Sequence, residues 1–304
     1  MTKITTLSPE EYYAGLTARN RGIVSAAQQE ALRCATVLVA GCGSVGGAAV
    51  QPLARLGVQQ FLVADPGCYE LDNLNRQHAT VYDVGRNKAE VAAERILAVN
   101  PYAHAEVHPE GVSEDNAAAL TMPCQVVVDG IDVTTISGLR AKLALHEAAV
   151  ARRLPLITAW DLAGAVYTQY FDYRRVTEPF RGALSPADLD RFTVWELIER
   201  VLPLRRIPAD MLTELNANLA QPGYSVPQVV YTANLAGAVT AHMVTKVLAG
   251  ERIRDKIRID IHQAARPTAG RLAVFLSWPR EAARMRRLLA QYGSRAHLGG
   301  HSGL

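Results

Sequence analysis

The residues that could do chemistry begin at Gly41-x-Gly43-x-x-Gly46, within "VLVAGCGSVGGAAV", Val37 to Val50. An apolar strand precedes the glycines and a helix follows. That setting lets backbone approach a phosphate at a helix N-terminus, where free N–H groups and the positive end of the dipole await it. Asp65 follows Gly46 by 19 residues, at the end of the next predicted strand. A carboxylate there can accept from both ribose hydroxyls. By these features alone the commonest reading is a nicotinamide-dependent oxidoreductase.

The downstream residues suit a different nucleotide. "ELDNLNRQ" places Asn73, Asn75, Arg76 and Gln77 just past Asp65, and "YDVGRNKAE" puts Lys88 at a helix start. Two cations beside a ribose-binding acid suit a triphosphate whose charge must be held through reaction. Esterified dinucleotide phosphates need no such clamp. Asp132 closes the strand "VVVDGID" at its C-terminal edge, where open α/β sheets place ligands. It could hold Mg²⁺ on the phosphates. Singly, each has an ordinary structural explanation: Lys88 as a solvated helix lysine, Asp129 or Asp132 as a strand-end cap. Jointly and in this order, they point to nucleotidyl transfer.

The elements that must position these groups alternate along the chain. "SPEEYYAGL" predicts a helix with Ser8 as N-cap and Pro9 in the first turn. A helix near Ser25 to Arg33, a strand over Thr36–Ala40 and a turn-plus-helix from Gly41 to Gly57 follow. "QQFLVADPG", "HAEVHPEGV", "CQVVVDGID" and "PLITAWDLAG" read as strands. "NKAEVAAERILAVNP" and "GLRAKLALHEAAVARRL" read as helices. The alternation predicts a doubly wound, mostly parallel sheet of Rossmann-like type. Between Val176 and Pro227, prolines at 179, 186, 203, 208, 222 and 227 break the rhythm around two short amphipathic helices. We read one domain over 1–304: an N-terminal helical segment 1–35, a nucleotide core 36–175, an insert 176–227 over the sheet, and a C-terminal part 228–304. The last begins with a long buried helix ending at Gly250. Arg280, Arg284, Arg286, Arg287 and Arg295 then form a basic helix face, either solvated or a dock for an acidic partner. The final "LGGHSGL" reads as a loose tail.

The composition is that of a globular chain: 304 residues, 49% hydrophobic, 20% charged, net charge +3. That charge is too small to indicate nucleic acid. No uninterrupted apolar run is long enough for a membrane span, and the N-terminus lacks a signal-type apolar segment. Cys34, Cys42, Cys68 and Cys124 form no Cys-x-x-Cys pair, which points to a cytoplasmic setting and to no structural zinc.

The ordered set "RNRG" (Arg19 to Gly22), "GCGSVGG", Asp65, "NLNRQ", "DVGRNK" and "DGID" resembles the ThiF/MoeB/HesA adenylyltransferases, relatives of the ubiquitin-activating enzymes. The resemblance is close from Arg19 to Gly164 and resumes more loosely in "VVYTANLAGAVTAHMVTKVLAG". It implies that Gly41, Gly43 and Gly46 approach ATP phosphates and that Asp65 binds ribose. Asn73, Arg76 and Lys88 would hold phosphates, and Asp132 the Mg²⁺–phosphate region. Arg21 would reach the γ-phosphate end of ATP in the partner subunit of a homodimer. The implied reaction is attack of a substrate carboxylate, from a peptide, small protein or biosynthetic acid, on the α-phosphorus. An acyl-adenylate and pyrophosphate result. Two places depart from the family pattern: Gly67 stands where a second acid is usual, and Val133 where Asn is usual. The zinc cysteine pairs and the thioester cysteine are absent, no cysteine following Cys124. The departures keep open a regulatory, inactive subunit beside the oxidoreductase alternative.

Overall fold

The computed structural model describes residues 7–221 and 223–298, with side chains described through 291. The side chain of Arg295, the prolyl at 222 and the terminal 299–304 lie outside the described residues. Helix α1 (Pro9–Leu16) opens on the Ser8 cap: the Ser8 hydroxyl accepts from the Glu11 N–H, and the Glu11 carboxylate accepts from Ser8 in return. Helix α2 (Ala26–Cys34) leads into β1 (Thr36–Ala40), then α3 (Gly46–Leu56), β2 (Gln60–Ala64) and α4 (Lys88–Val99). Strand β3 (His104–His108), α5 (Ala117–Thr121), β4 (Val126–Asp129), α6 (Ile136–Arg152), β5 (Pro155–Leu162) and β6 (Ala165–Asp172) complete the core. The insert carries α7 (Pro186–Leu189), α8 (Val194–Val201) and α9 (Ala209–Asn218). Helix α10 (Val230–Leu248), β7 (Lys256–Asp260), α11 (Ile261–Ala265) and α12 (Thr268–Leu298) follow.

The sheet runs β3-β2-β1-β4-β5-β6-β7. The pairings from β3 through β5 are parallel, and β5–β6 and β6–β7 are antiparallel. After β1 the chain builds outward through β2 and β3, then returns to lay β4 against β1's other side. That reversal opens a crevice between the C-terminal ends of β1 and β4, the place where doubly wound sheets bind ligands. Register sets the depth of the crevice: Ala40 pairs with Ala64 and with Asp129. Gly41, Asp65 and Gly130 therefore emerge at one level.

Alternation along the strands feeds two layers. Val37, Val39, Phe61, Val63, Val126 and Val128 pack beneath α2, α3, α4 and α10. Leu38, Ala40, Leu62, Val127, Leu156 and Trp160 pack on the other face with α6, the insert helices and α12. The insert thus adds its Leu197, Leu212 and Leu215 to the same apolar cluster as the strands. The sequence reading extends strand–helix alternation through "PLITAWDLAG"; the chain instead turns back at Ala163-Gly164 into an antiparallel hairpin. Leu162 pairs with Ala165 across the turn, and Ala163 takes φ 62°. A short, mostly apolar run announces β5, all eight residues of which are buried, but nothing in it tells a crossover from a hairpin.

Candidate active site

The crevice is a cleft of about 670 Å³. A hollow of about 410 Å³ at the opposite ends of the strands, lined by Cys34, Cys124 and Arg153, gathers no comparable set of polar groups. One half of the cleft is polar and built on the glycine turn. Gly41 takes φ 84°, and a Cβ there would lie 2.4 Å from the Gly130 carbonyl oxygen. Strand ends β1 and β4 can meet this closely only without side chains. Gly46 is buried behind the turn, its would-be Cβ 1.9 Å from the Gly41 carbonyl oxygen, so it seats α3 on the strand and stays out of the lining. Gly43 does face the cleft, with nothing nearer to a Cβ position than the Gln77 side chain at 3.9 Å. No side chain caps α3; its Gly47 N–H donates to the Gly43 carbonyl at 3.0 Å, and Gly43, Ser44 and Val45 at its start line the cleft.

Asp65 ends β2 nearly buried. Its Oδ2 accepts from Cys42 N at 2.6 Å and its Oδ1 from Gly67 N at 2.7 Å. Burial raises the Asp65 carboxyl above its ordinary range, and the two N–H donors and Lys88 offset this only in part. Asn87 caps α4 through the Ala89 and Glu90 N–H groups, while its amide donates to the Asp65 carbonyl at 2.9 Å. This double use fixes Lys88, the first residue of α4, at the cleft wall, with Nζ 5.8 Å from the Tyr69 ring centre. Between them the loop after β2 presents Asn73 and Arg76. Asn73 is buried and donates to Asp72 Oδ1 at 2.8 Å. Arg76 is aimed by three acceptors: Gln228 Oε1 at 2.6 Å from Nε, and Asn75 Oδ1 at 2.8 Å and the Asp72 carbonyl at 3.0 Å from Nη1. Asp132 is exposed on the far side of the cleft and accepts from Thr134 N (3.0 Å) and Thr134 Oγ1 (2.8 Å).

The chain therefore brings Gly41, Gly43, Asp65, Asn73, Arg76, Lys88 and Asp132 to one cavity. Arg21 is exposed, ahead of β1, and is not among the residues lining it. Several groups in the cleft wall and behind it escape the sequence reading. Gln228 joins the Arg76 loop to the glycine turn by donating to Ser44 Oγ at 3.3 Å. Lys142 projects from α6 onto buried Asp129, Nζ to Oδ2 2.5 Å, with Thr158 Oγ1 at 3.2 Å. His146 Nε2 lies 3.1 Å from the same oxygen and its Nδ1 2.6 Å from the Tyr173 hydroxyl. Burial alone would raise Asp129, but Lys142 and His146 outweigh it and hold the carboxyl down at about 2. Burial lowers His146 to about 4, which keeps the ring neutral. Asp161, at the end of β5, lines the cleft with neither carboxylate oxygen hydrogen-bonded among the described residues. A lysine and a histidine inside the apolar pattern of "RAKLALHEAA" are the one sequence signal that could have exposed the Asp129 cluster. The other half of the cleft is apolar, walled by Trp195, Ile198, Leu202, Met211 and Val226 of the insert.

A ThiF family model matches residues 17–276. The chain belongs to the ThiF family. It is 31% identical over 258 residues to an uncharacterised Mycobacterium tuberculosis protein, MT1398, covering 81% of this chain and 34% of that one. It is 34% identical over 140 residues to a Thermus thermophilus sulfur carrier protein adenylyltransferase, covering 46% of this chain and 48% of that one. The chain thus spans between a third and a half of the length of these relatives. Among solved structures, Escherichia coli tRNA N6-threonylcarbamoyladenosine dehydratase in complex with ATP superposes with a TM-score of 0.58 at 22% identity, covering 80% of this chain and 98% of that one. E. coli MccB with ATP gives 0.57 at 17% identity, covering 82% and 68%. These likenesses establish the mixed α/β fold, a seven-stranded, mostly parallel sheet flanked by helices. Among the described residues, no helix is long and apolar enough to cross a membrane.

Proposed function

We propose that this ThiF-family chain binds ATP in the switch-point cleft and adenylates a carboxylic acid. The observation that carries the reading is the convergence of Arg76, Lys88, Asp65 and Asp132 on the uncapped N-terminus of α3. ATP complexes of two structural neighbours and the adenylyltransferase name of the Thermus relative support it. The bare face at Gly43 fits a phosphate, and the buried Asp65 carboxylate fits a ribose. Arg76 and Lys88 would hold the phosphates and stabilise charge as it moves onto the departing pyrophosphate. The incoming carboxylate attacks the α-phosphorus, the bond to the β-phosphate oxygen breaks, and an acyl-adenylate forms. Positioning and electrostatics suffice for this step, with no proton transfer required. Mg²⁺ fits Asp132, whose solvent-facing carboxylate could share a hard cation with nucleotide phosphates. That ion would supply charge neutralisation at the leaving group. The apolar insert wall would receive the acid.

Arg21 is exposed and does not line its own cleft, so this reading assigns it to a partner subunit's cleft in a two-fold homodimer. Leu71, Val81 and Tyr82, exposed on the loop that carries Arg76, provide apolar material for such an interface. The cysteine pattern is consistent with a cytoplasmic enzyme. The test is a comparison of nucleotides by thermal shift, since a ligand that binds only the folded state raises stability with its occupancy. ATP with Mg²⁺ should raise Tm and NAD should not. Stabilisation by NAD or NADP with none by ATP refutes the reading.

A further inference from the structure

Asp161 is the one cleft carboxylate that the adenylation chemistry leaves unused. It is 8% exposed, and neither Oδ1 nor Oδ2 has a hydrogen-bond partner among the described residues. The Ala163 N–H and the Thr232 hydroxyl lie near enough to ease its charge in part, but neither completes a hydrogen bond to it. The Thr232 hydroxyl lies against the carbonyls of Val229 (2.8 Å) and Ala163 (3.2 Å). The neighbouring Trp160 indole N–H donates to Gln169 Oε1 at 3.0 Å. Arg76 is the one charged side chain whose field reaches Asp161, and it is engaged by Gln228, Asn75 and Asp72. On the adenylation reading Arg76 also faces phosphate, which would cancel what help it gives. Buried carboxylates are otherwise paired or metal-bound. An orphan facing a ligand cavity therefore marks a partner that arrives with the ligand.

We propose that Asp161 is a specificity-determining residue that pairs with a cationic nitrogen, ammonium or guanidinium, carried by the acid to be activated. A cation supplies charge and N–H donors together, which a neutral donor does not. No cluster of three or more metal-ligating side chains occurs among the described residues, so no preformed protein cage for a metal surrounds Asp161. The substrate class is then an amino acid or peptide bearing a free α-ammonium or a basic side chain close to its reacting carboxylate. This rests on the adenylation reading and narrows it.

The test follows the Asp161 carboxyl directly in full-length protein with ¹³C-labelled aspartate, its resonance assigned by disappearance in Asp161→Asn. The protein is loaded with Mg²⁺ and an ATP analogue whose α–β bridge is methylene, so no adenylate forms. Four acids are added in turn. L-arginine carries both cations, N-acetyl-L-arginine only the side-chain cation, L-citrulline only the α-ammonium, and N-acetyl-L-citrulline neither. At least one cation-bearing acid should lower the titration midpoint by about one pH unit or more, and N-acetyl-L-citrulline should not. Which acid does so separates the α-ammonium from the side-chain source. An equal effect of N-acetyl-L-citrulline, a full effect of the Mg²⁺–nucleotide alone, or no effect of any acid overturns the proposal. In pyrophosphate exchange, Asp161→Asn should lose a preference of about tenfold or more for the cationic over the neutral acid while keeping its nucleotide-induced thermal shift. If the nucleotide itself fails to stabilise wild type, the adenylation reading fails; if it stabilises and the acids do nothing, only this inference fails.

Discussion

Holding a carboxylate unpaired in the interior costs stability, and the cost at Asp161 has a pH signature. Burial raises its carboxyl from 3.8 to about 6, with the nearby Thr232 and Arg76 opposing this only in part. The folded protein therefore keeps this proton up to about pH 6, whereas the unfolded chain releases it near its ordinary value. Between these values the native state binds more protons, so the Asp161 contribution to stability falls as pH rises and is flat above the window. Two pH units correspond to about 3 kcal/mol. Asp161→Asn removes the charge and keeps the shape. Its stability relative to wild type should therefore improve by about 2.5 kcal/mol between pH 4 and pH 8, a small part of the full change falling below pH 4. Any fixed penalty from the buried amide cancels in that difference. For 304 residues this is about 4 °C in Tm. Urea unfolding of both proteins at the two pH values measures it. A stability difference that is the same at both refutes the claim that Asp161 is buried, ionisable and unpartnered.

Removing the partner of a well-paired buried carboxylate should act in the opposite direction. Lys142→Met strands Asp129, which is 0% exposed, and should cost about 3–5 kcal/mol in chemical denaturation. Gly46→Ala drives a methyl to 1.9 Å from the Gly41 carbonyl oxygen and should yield little folded protein, by circular dichroism. Gly43→Ala, with nothing inside 3.9 Å, should fold and lose ATP-induced stabilisation. Asp132→Ala, at an exposed position, should unfold like wild type while pyrophosphate exchange drops by about a hundredfold or more. If Arg21 acts across a two-fold dimer, mixing inactive Arg21→Ala and Asp132→Ala proteins should restore roughly a quarter of wild-type activity, because half of randomly exchanged dimers are mixed and each holds one whole site. No recovery after verified exchange rules the trans arrangement out.

The nucleotide half of the cleft is legible in sequence because its parts are local. A strand, a glycine turn and a helix start are contiguous, and Asp65 and Lys88 terminate or begin elements whose periodicity is plain. The register that brings Ala40, Ala64 and Asp129 level then follows from packing three short apolar strands side by side. Gln228 is illegible for the opposite reason: it reaches Arg76 across 152 positions, in a proline-broken stretch without periodicity. Asp161 sits in a run that reads as an ordinary buried strand, and only the hairpin after Leu162 turns that strand's end into cleft wall. Gly46 shows a motif position whose duty differs from its neighbours': it serves the helix seat, and Gly43 the ligand face.

The insert's attachment sets the unit in which this cleft could be re-engineered. Leu197, Leu212 and Leu215 share one cluster with Tyr167 and Phe171 of β6 and with Ala282, Met285 and Leu289 of α12. Polar ties run the same way: the Trp278 indole donates to the Ile207 carbonyl at 2.9 Å, and Asn216 to the Glu281 carbonyl at 2.9 Å. A chimera that exchanges only residues 176–227 with another family member would leave α12 facing a foreign surface. The transplantable module is the insert together with α12. On the adenylation reading, redirecting the cleft to another acid falls first to Ser225, which lines it outside that shared interior, whereas Met211 belongs to the apolar cluster and Trp195 packs against it.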